Sequence, residues 1–261
     1  MPVRLKIDLH THSAEDCSEV VSGHTDLIPA FKFIDLAVAK GYDAISFTHH
    51  GMLYQDRDVL RYAQKKGLLL IPGVEAFIER RHVLLINFTQ KKYITTFEDL
   101  RACKHDNMLV IAPHPYYSAG ISLGHYLERN IDLFDAIEYC HFYYGPLNFN
   151  RKAVRIAKKY GVPLVGNSDT HHPMQFGTTF SYVHAEERSI PAIIQAIKQG
   201  QVQYVSYPLS LPQFISETFW ILQKLPYEIR MHLRRRVYRA SRKVLHRVVN
   251  LRNQFGRNGN R

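Results

Sequence analysis

From Val3 to His10 apolar and polar residues take turns: Val3, Leu5, Ile7 and Leu9 against Arg4, Lys6, Asp8 and His10. That two-residue period predicts a strand, because successive side chains of extended backbone point to opposite faces. A polar loop containing Asp16, Cys17 and Ser18 follows. Leu27, Phe31, Ile34, Leu36 and Val38 then mark the apolar face of a helix over Asp26–Lys40, which Gly41 ends. Further strands are predicted at Asp43–Thr48, Leu68–Ile71, His82–Phe88, Met108–Ala112, Ala136–His141, Val162–Val165 and Thr179–Ala185. Helices are predicted over Asp58–Lys66, Thr96–Asp106, Ser122–Asn130, Asn150–Tyr160 and Ser189–Gly200. Thr96 with Asp99 three residues on has the form of a capping box, and Ser189 that of an N-cap.

Continuous apolar strands alternating with helical segments predict parallel pairing through βαβ crossovers. The candidate chemistry follows the same rhythm. His10, His12, His50, Glu75, His114, Asp169 and His171 each follow a strand and precede the next helix. In a barrel of parallel strands such loops gather at one face, so residues as distant as His10 and His171 would meet at one point. A His-x-His pair leaving a strand end aims two imidazoles the same way. Imidazoles mixed with carboxylates suit a first-row divalent ion.

In chain order, the stretches IDLHTHS (7–13), FTHH (47–50), IPGVEA (71–76), IAPHP (111–115) and GNSDTHH (166–172) resemble the motifs of the PHP (polymerase and histidinol phosphatase) domain family. The resemblance spans roughly residues 5–205. It implies a distorted (β/α)7 TIM-like barrel, with residues 1–223 as the PHP-type domain, and two or three divalent ions (zinc, manganese or iron). Carried over residue by residue, it implies that His10, His12, Glu75 and Asp169 hold the first ion. Glu75 would bridge to a second ion shared with His114, and Asp16, His50 and His171 would form the third position. Glu138, in the family's variant reading of the sixth strand, joins the metal ligands. Glu75, Asp169 and His171 are the residues implied to be catalytic. The implied activity is hydrolysis of a phosphomonoester through a metal-activated water. A nuclease or phosphodiesterase acting on nucleic-acid ends or short oligonucleotides is the alternative, as is a non-catalytic, metal-stabilised scaffold.

Several positions depart from the family pattern. His49 stands where relatives have Asp, a residue expected to orient a ligand rather than bind the metal. Asp16 lies one residue nearer His12 than in many relatives. Tyr139 stands where some have a histidine ligand, so the second ion has fewer ligands unless Glu138 or His141 compensates. His82, opening a strand, reads as a capping or core histidine. His24, His105, His125, His184, His232 and His246 lack motif context and read as surface or satisfied histidines; His172 reads as a rim residue. The aromatic stretches Tyr116-Tyr117 and Phe142-Tyr143-Tyr144 suit either base stacking or lid packing. Arg57, Arg80, Arg81 and Arg151 are candidate phosphate contacts.

Charge changes the picture only at one end. The net charge is +11, yet residues 1–223 balance 22 Lys+Arg against 22 Asp+Glu. Residues 224–261 hold 12 Lys+Arg against Glu228 alone, so the entire excess lies there. Apolar residues at 229, 233, 237, 240, 244, 248 and 251 predict a basic amphipathic C-terminal helix, and residues 256–261 read as a disordered end. Such a helix suits an anionic membrane surface or nucleic acid, beside a small phosphorylated substrate for the barrel. No apolar run approaches the ~20 residues of a membrane span. Met1–Lys6 lacks the apolar stretch of a signal peptide, and Cys17, Cys103 and Cys140 form no disulfide framework. The expectation is a cytoplasmic protein, peripheral at the membrane if the tail binds there.

Overall fold

The structure is a computed structural model that describes residues 2–21, 27–90, 94–117 and 120–219. The chain divides into two compact units, residues 1–214 and 215–261. The strands begin with β1 (Val3–Thr11), β2 (Ala44–Phe47), β3 (Leu69–Leu70), β4 (Gly73–Ile78), β5 (Arg81–Ile86) and β6 (Leu109–Ala112). They continue with β7 (Ala136–Cys140), β8 (Tyr143–Tyr144), β9 (Leu147–Asn148), β10 (Leu164–Asn167), β11 (Thr179–Ala185) and β12 (Val202–Ser206). The helices are α1 (Cys17–Val21), α2 (Ala30–Ala39), α3 (Arg57–Lys65), α4 (Phe97–Cys103), α5 (His125–Arg129), α6 (Asn150–Tyr160) and α7 (Ile190–Lys198). Residues 211–219 are helical as well. The predicted basic helix of residues 224–261 lies outside the described residues.

Local signals were legible. The Thr96/Asp99 capping box forms in full at the start of α4, and Ser189 caps α7 by accepting from the Ala192 amide at 3.3 Å. α6 ends where Gly161 adopts φ 67°, which a glycine takes without a Cβ clash.

The global expectation needs correction: the strands form no closed (β/α)7 TIM-like barrel among the described residues. They form two mixed five-stranded sheets, ordered β12-β11-β1-β2-β3 and β10-β7-β6-β5-β4, with β8-β9 as a separate hairpin. Strand direction is what the pattern misassigned. Gly73–Ile78, read as the loop after a strand, is itself a strand. Only Glu79 and Arg80 separate it from β5, and both have positive φ (46° and 68°). Two residues close an antiparallel hairpin, whereas a parallel crossover needs a dozen or more. The pairs β5/β6, β1/β11 and β11/β12 are antiparallel too, leaving β1/β2, β2/β3, β6/β7 and β7/β10 parallel.

One core cluster joins Leu5, Ile7 and Leu9 of the first sheet to Leu84, Ile86, Ile111 and Val165 of the second, together with Ile193 and Ile194 of α7. Each such side chain contributes ~1.5–3 kcal/mol on burial. α4, α5 and α6 cover Val74, Val83, Leu85 and Val110 through Leu100, Leu127 and Ile156. α2 and α3 pack Phe33, Ile34 and Val59 against Ile45 and Phe47 of β2. Two isolated bridges join the sheets, Thr11 to Thr170 and His50 to Glu75. At the second, β4 comes so near β2 that a Cβ on Gly73 would strike the Ser46 hydroxyl and approach Thr48 Cγ2 to 3.0 Å.

Candidate metal centre

Those two bridges lie where the candidate ligands gather. The His12 amide donates to the Thr170 carbonyl at 3.1 Å, and the Gly51 amide donates to the Glu75 carbonyl at 2.8 Å. Backbone pairing therefore fixes the end of β1 beside the loop after β10, and the end of β2 beside β4. His114, at φ 28°, and Asp169, at φ 48°, occupy a region that costs non-glycine residues energy and is held only where surroundings demand it. Asp8 secures the Asp169 loop by accepting from Ser168 Oγ at 2.6 Å and from the Ser168 amide. Burial pushes the Asp8 carboxyl up to about 7, although hydrogen bonds from Ser168 and the His10 amide oppose the rise.

Two carboxylates stand behind the histidines. Glu138 Oε2 lies 2.9 Å from His10 Nδ1 and accepts from Asn167 Nδ2, while Oε1 accepts from the His114 amide, both at 3.0 Å. Asp16 Oδ2 lies 2.9 Å from His12 Nδ1 and 3.0 Å from His50 Nδ1, and accepts the His50 amide as well. An ionised carboxylate only accepts hydrogen bonds, so the facing Nδ1 carries the ring proton. The Nε2 of His10 and His12 then presents a lone pair.

Those lone pairs point at anionic oxygens. His10 Nε2 is 3.1 Å from Asp169 Oδ1 and 3.5 Å from Glu75 Oε1; His12 Nε2 is 3.6 Å from both Asp169 Oδ1 and Glu75 Oε2. His50 Nε2 and His114 Nε2 reach Glu75 at 3.0 and 3.2 Å, and His171 Nε2 reaches Asp169 at 3.2 Å. His10 Nε2, His12 Nε2 and Glu75 Oε2 are fully buried and make no hydrogen bond. Lone pairs facing carboxylate oxygens repel unless a proton or a metal ion lies between them. Metal–ligand bonds of ~2.0–2.2 Å put two ligand atoms of one ion ~3–3.6 Å apart, so these residues fit divalent ions. Four groups made only of histidines and carboxylates bring their ligand atoms within 4.8 Å of one another: His10–Glu75–His114, His10–His12–Asp169, His12–Asp16–His50 and His50–Glu75–His82.

The electrostatics show a demand for positive charge among these oxygens, which a proton on an imidazole or a metal ion meets. Burial disfavours charge on His10, yet Asp169, Glu138 and Glu75 outweigh it and hold the imidazole well above its ordinary range. Burial, reinforced by His171 and His50, lowers His12. Burial would raise the carboxyls of Asp16, Glu75 and Asp169, but the surrounding histidines reverse the shift and hold all three below the carboxylate range. The pocket is a cage of anionic oxygens lined by imidazoles.

His10, His12, His50, Glu75, His114, Asp169 and His171 thus converge. Asp16 and Glu138 stand behind the histidine rings, Asp16 with an oxygen in the His12–Asp16–His50 group and Glu138 accepting from three partners. His82, read as a core histidine, sets Nδ1 against Glu75 Oε1, and burial lowers it to about 4. Its signal was the register of a hairpin: it alternates with Leu84 and Ile86, and pairs with Phe77 two residues beyond Glu75. Glu19 carried no motif at all. From α1 it reaches His50 Nδ1 at 3.4 Å and His171 Nδ1 at 3.2 Å. His49 lies off the cluster, buried, with Nε2 2.9 Å from Ser13 Oγ. Tyr139 stacks on Tyr204 and its hydroxyl accepts from Asn148 Nδ2. Arg81 is spent on the carbonyls of Gly120 and Ser122, while Arg57, Arg80 and Arg151 are exposed. Phe142 packs on Tyr117, Phe149 and Phe214. His105, His125 and His184 are exposed; His24, His232 and His246 lie outside the described residues.

Fold and site together define an α/β protein with a buried histidine–carboxylate cage whose groups have the spacing to hold a metal ion. Residues 148–202, which include Asp169 and His171, match the PHP-associated family PHP_C. No curated protein matches the sequence. Among solved structures, the chain is similar to a two-domain protein "containing predicted PHP-like metal-dependent phosphoesterase" from Bacteroides vulgatus, at 22% identity and TM-score 0.58. That likeness covers 79% of this chain and 66% of the other. PsfC from Pseudomonas syringae is similar at 15% identity and TM-score 0.57, over 86% of this chain and 99% of that one. The lesion-specific endonuclease PfuEndoQ from Pyrococcus furiosus is similar at 18% and 0.53, over 76% and 56%. This chain therefore spans less than two thirds of the Bacteroides and Pyrococcus proteins, and at these identities the likeness is one of fold. In sequence the resemblance to the PHP family rests on residues 148–202, and over most of the chain it is one of fold. No helix among the described residues is long and apolar enough to cross a membrane.

Proposed function

We propose that the protein is a metal-dependent phosphoesterase that hydrolyses a phosphomonoester. The observation that carries this reading is the convergence of six imidazoles on Glu75 and Asp169, with buried Nε2 lone pairs aimed at carboxylate oxygens. Two or three divalent ions (zinc, manganese or iron), held by His10, His12, His50, Glu75, His114, Asp169 and His171, would polarise a phosphoryl group and lower the pKa of a water. Glu138 and Asp16 lock the tautomers of His10, His12 and His50. Among the described residues the cage is nearly closed. His50, Asp169 and His171 are its more open members, with side chains 10, 15 and 14% exposed. An opening that narrow suits a terminal phosphoryl group better than an internal diester, which favours the monoester. A nucleic-acid end is the second reading, favoured by the basic residues 224–261 and by the fold shared with an endonuclease.

The test is phosphate release over a panel of phosphomonoesters and end-phosphorylated oligonucleotides, with Mn²⁺ or Zn²⁺ added. Turnover of a small monoester that vanishes in Glu75→Gln supports the reading. Cleavage of oligonucleotides alone moves it to nucleic acid, and no turnover on any substrate with metal bound leaves the scaffold.

A further inference from the structure

The cage has a soft corner at Cys140, a residue that none of the family motifs supplies. Cys140 ends β7 two residues after Glu138, so strand alternation turns both side chains to the same face. The β7/β10 register pairs Cys140 with Asn167, two residues short of Asp169. Cys140 and His141 are buried, and Cys140 Sγ lies 3.9 Å from His141 Nδ1. One ligand atom each from Cys140, His141 and Asp169 falls within 4.8 Å of the others. The sulfur rides on a fixed backbone, because the Cys140 amide donates to Asn150 Oδ1 at 2.8 Å and Asn150 Nδ2 donates back to the Cys140 carbonyl at 2.9 Å.

We propose that Cys140, His141 and Asp169 form a thiolate-bearing metal position that takes a thiophilic divalent ion, zinc in preference to manganese. The proposal rests on the reading of the neighbouring cage as a metal centre, since Asp169 belongs to both. Zinc–sulfur and zinc–imidazole bonds of ~2.3 and ~2.0 Å on a tetrahedral ion separate the two donors by ~3.5 Å, a small contraction from the observed 3.9 Å. Binding releases the thiol proton to solvent and leaves the thiolate as ligand. Soft sulfur selects zinc over manganese, for which oxygen donors are better matched. The other two cysteines do not compete: Cys17 is exposed, Cys103 is partly buried, and neither belongs to a metal-ligating group of the described residues.

Cobalt(II) reports on this position directly. Metal-free full-length protein titrated with Co²⁺ should develop a near-ultraviolet sulfur-to-cobalt charge-transfer band beside the visible bands of the His and carboxylate ligands. Cys140→Ser should lose the ultraviolet band, keep the visible ones and bind about one ion fewer per chain. His141→Gln should shift the onset of the ultraviolet band to about tenfold higher cobalt or beyond. Cys17→Ser should change nothing. A visible spectrum without the ultraviolet band in the wild type, or the band surviving in Cys140→Ser, overturns this position and leaves the main centre standing. No cobalt spectrum at all overturns the centre and this position with it. The wild type also supplies a readout that needs no variant to fold: about one equivalent of zinc should displace the ultraviolet band, and manganese should not. A band displaced equally well by manganese refutes the proposal.

Discussion

The two sheets bring unlike halves to the cage. On the first, His10, His12 and His50 each have Nδ1 against a carboxylate, Glu138 or Asp16, with Glu19 as a further contact of His50. On the second, His82 and His114 turn to Glu75 itself, and the buried Nδ1 of His114 makes no hydrogen bond. The rings of the first sheet are backed by carboxylates of their own, while His82 and His114 lean on Glu75 alone. The difference teaches where the cage is brittle. Losing a backing carboxylate loosens one or two rings, whereas losing Glu75 dissolves the junction between the sheets' contributions.

Glu75→Gln should therefore have the largest effect. A neutral amide is a poor bridge between cations, so phosphoester hydrolysis should fall below detection while circular dichroism stays native. Exposed His105, changed to Ala, is the control that should keep full activity; equal loss in both would mean the site lies elsewhere.

Next comes Glu138→Gln. The amide cannot accept from His10, Asn167 and the His114 backbone at once, so metal affinity should drop by about 10–100-fold. Calorimetric titration with Zn²⁺ checks this, and unchanged affinity would remove Glu138 from the supporting role. Glu19→Gln should weaken zinc binding by a smaller factor, under about tenfold, with Glu19→Asp recovering part of it.

Acidification acts on both halves together. Ligand imidazoles must be neutral, so bound metal should be lost as pH falls and regained as it rises. Metal content measured after dialysis across that range should decrease monotonically; retention at low pH would argue for an all-carboxylate site. The smallest effect is expected of His49→Asp. Its environment already offers the Ser13 amide as a donor, so metal content should be unchanged. Loss of an ion there would make His49 a ligand.

How far the sequence could be read depended on the range of the forces involved. The capping box at Thr96, the Ser189 cap and the helix Asn150–Tyr160 were legible because a cap and a helical stripe are decided within a few residues. Strand direction was not. Leu84 and Leu85 are both fully buried and serve different core clusters, so the run looks the same whether its neighbours are parallel or antiparallel. The hairpin at Glu79 and Arg80 was hidden for a further reason: neither is the glycine or asparagine that usually marks positive φ.

The sequence by itself determined the chemistry available to this protein: imidazoles and carboxylates at strand ends, in motifs that resemble one family and in residue types suited to divalent ions. Only the tertiary structure decided where each stands. Asp16 and Glu138 have the ligand chemistry of Glu75 and Asp169, yet they stand behind the rings, because the nitrogen that faces a carboxylate depends on how two sheets meet. His82, Glu19 and Cys140 have no motif, and they reach the cage through a hairpin register, a short helix and the pairing of β7 with β10. Coordination requires atoms a few ångströms apart, and between residues so distant along the chain only the packing of the sheets sets that distance.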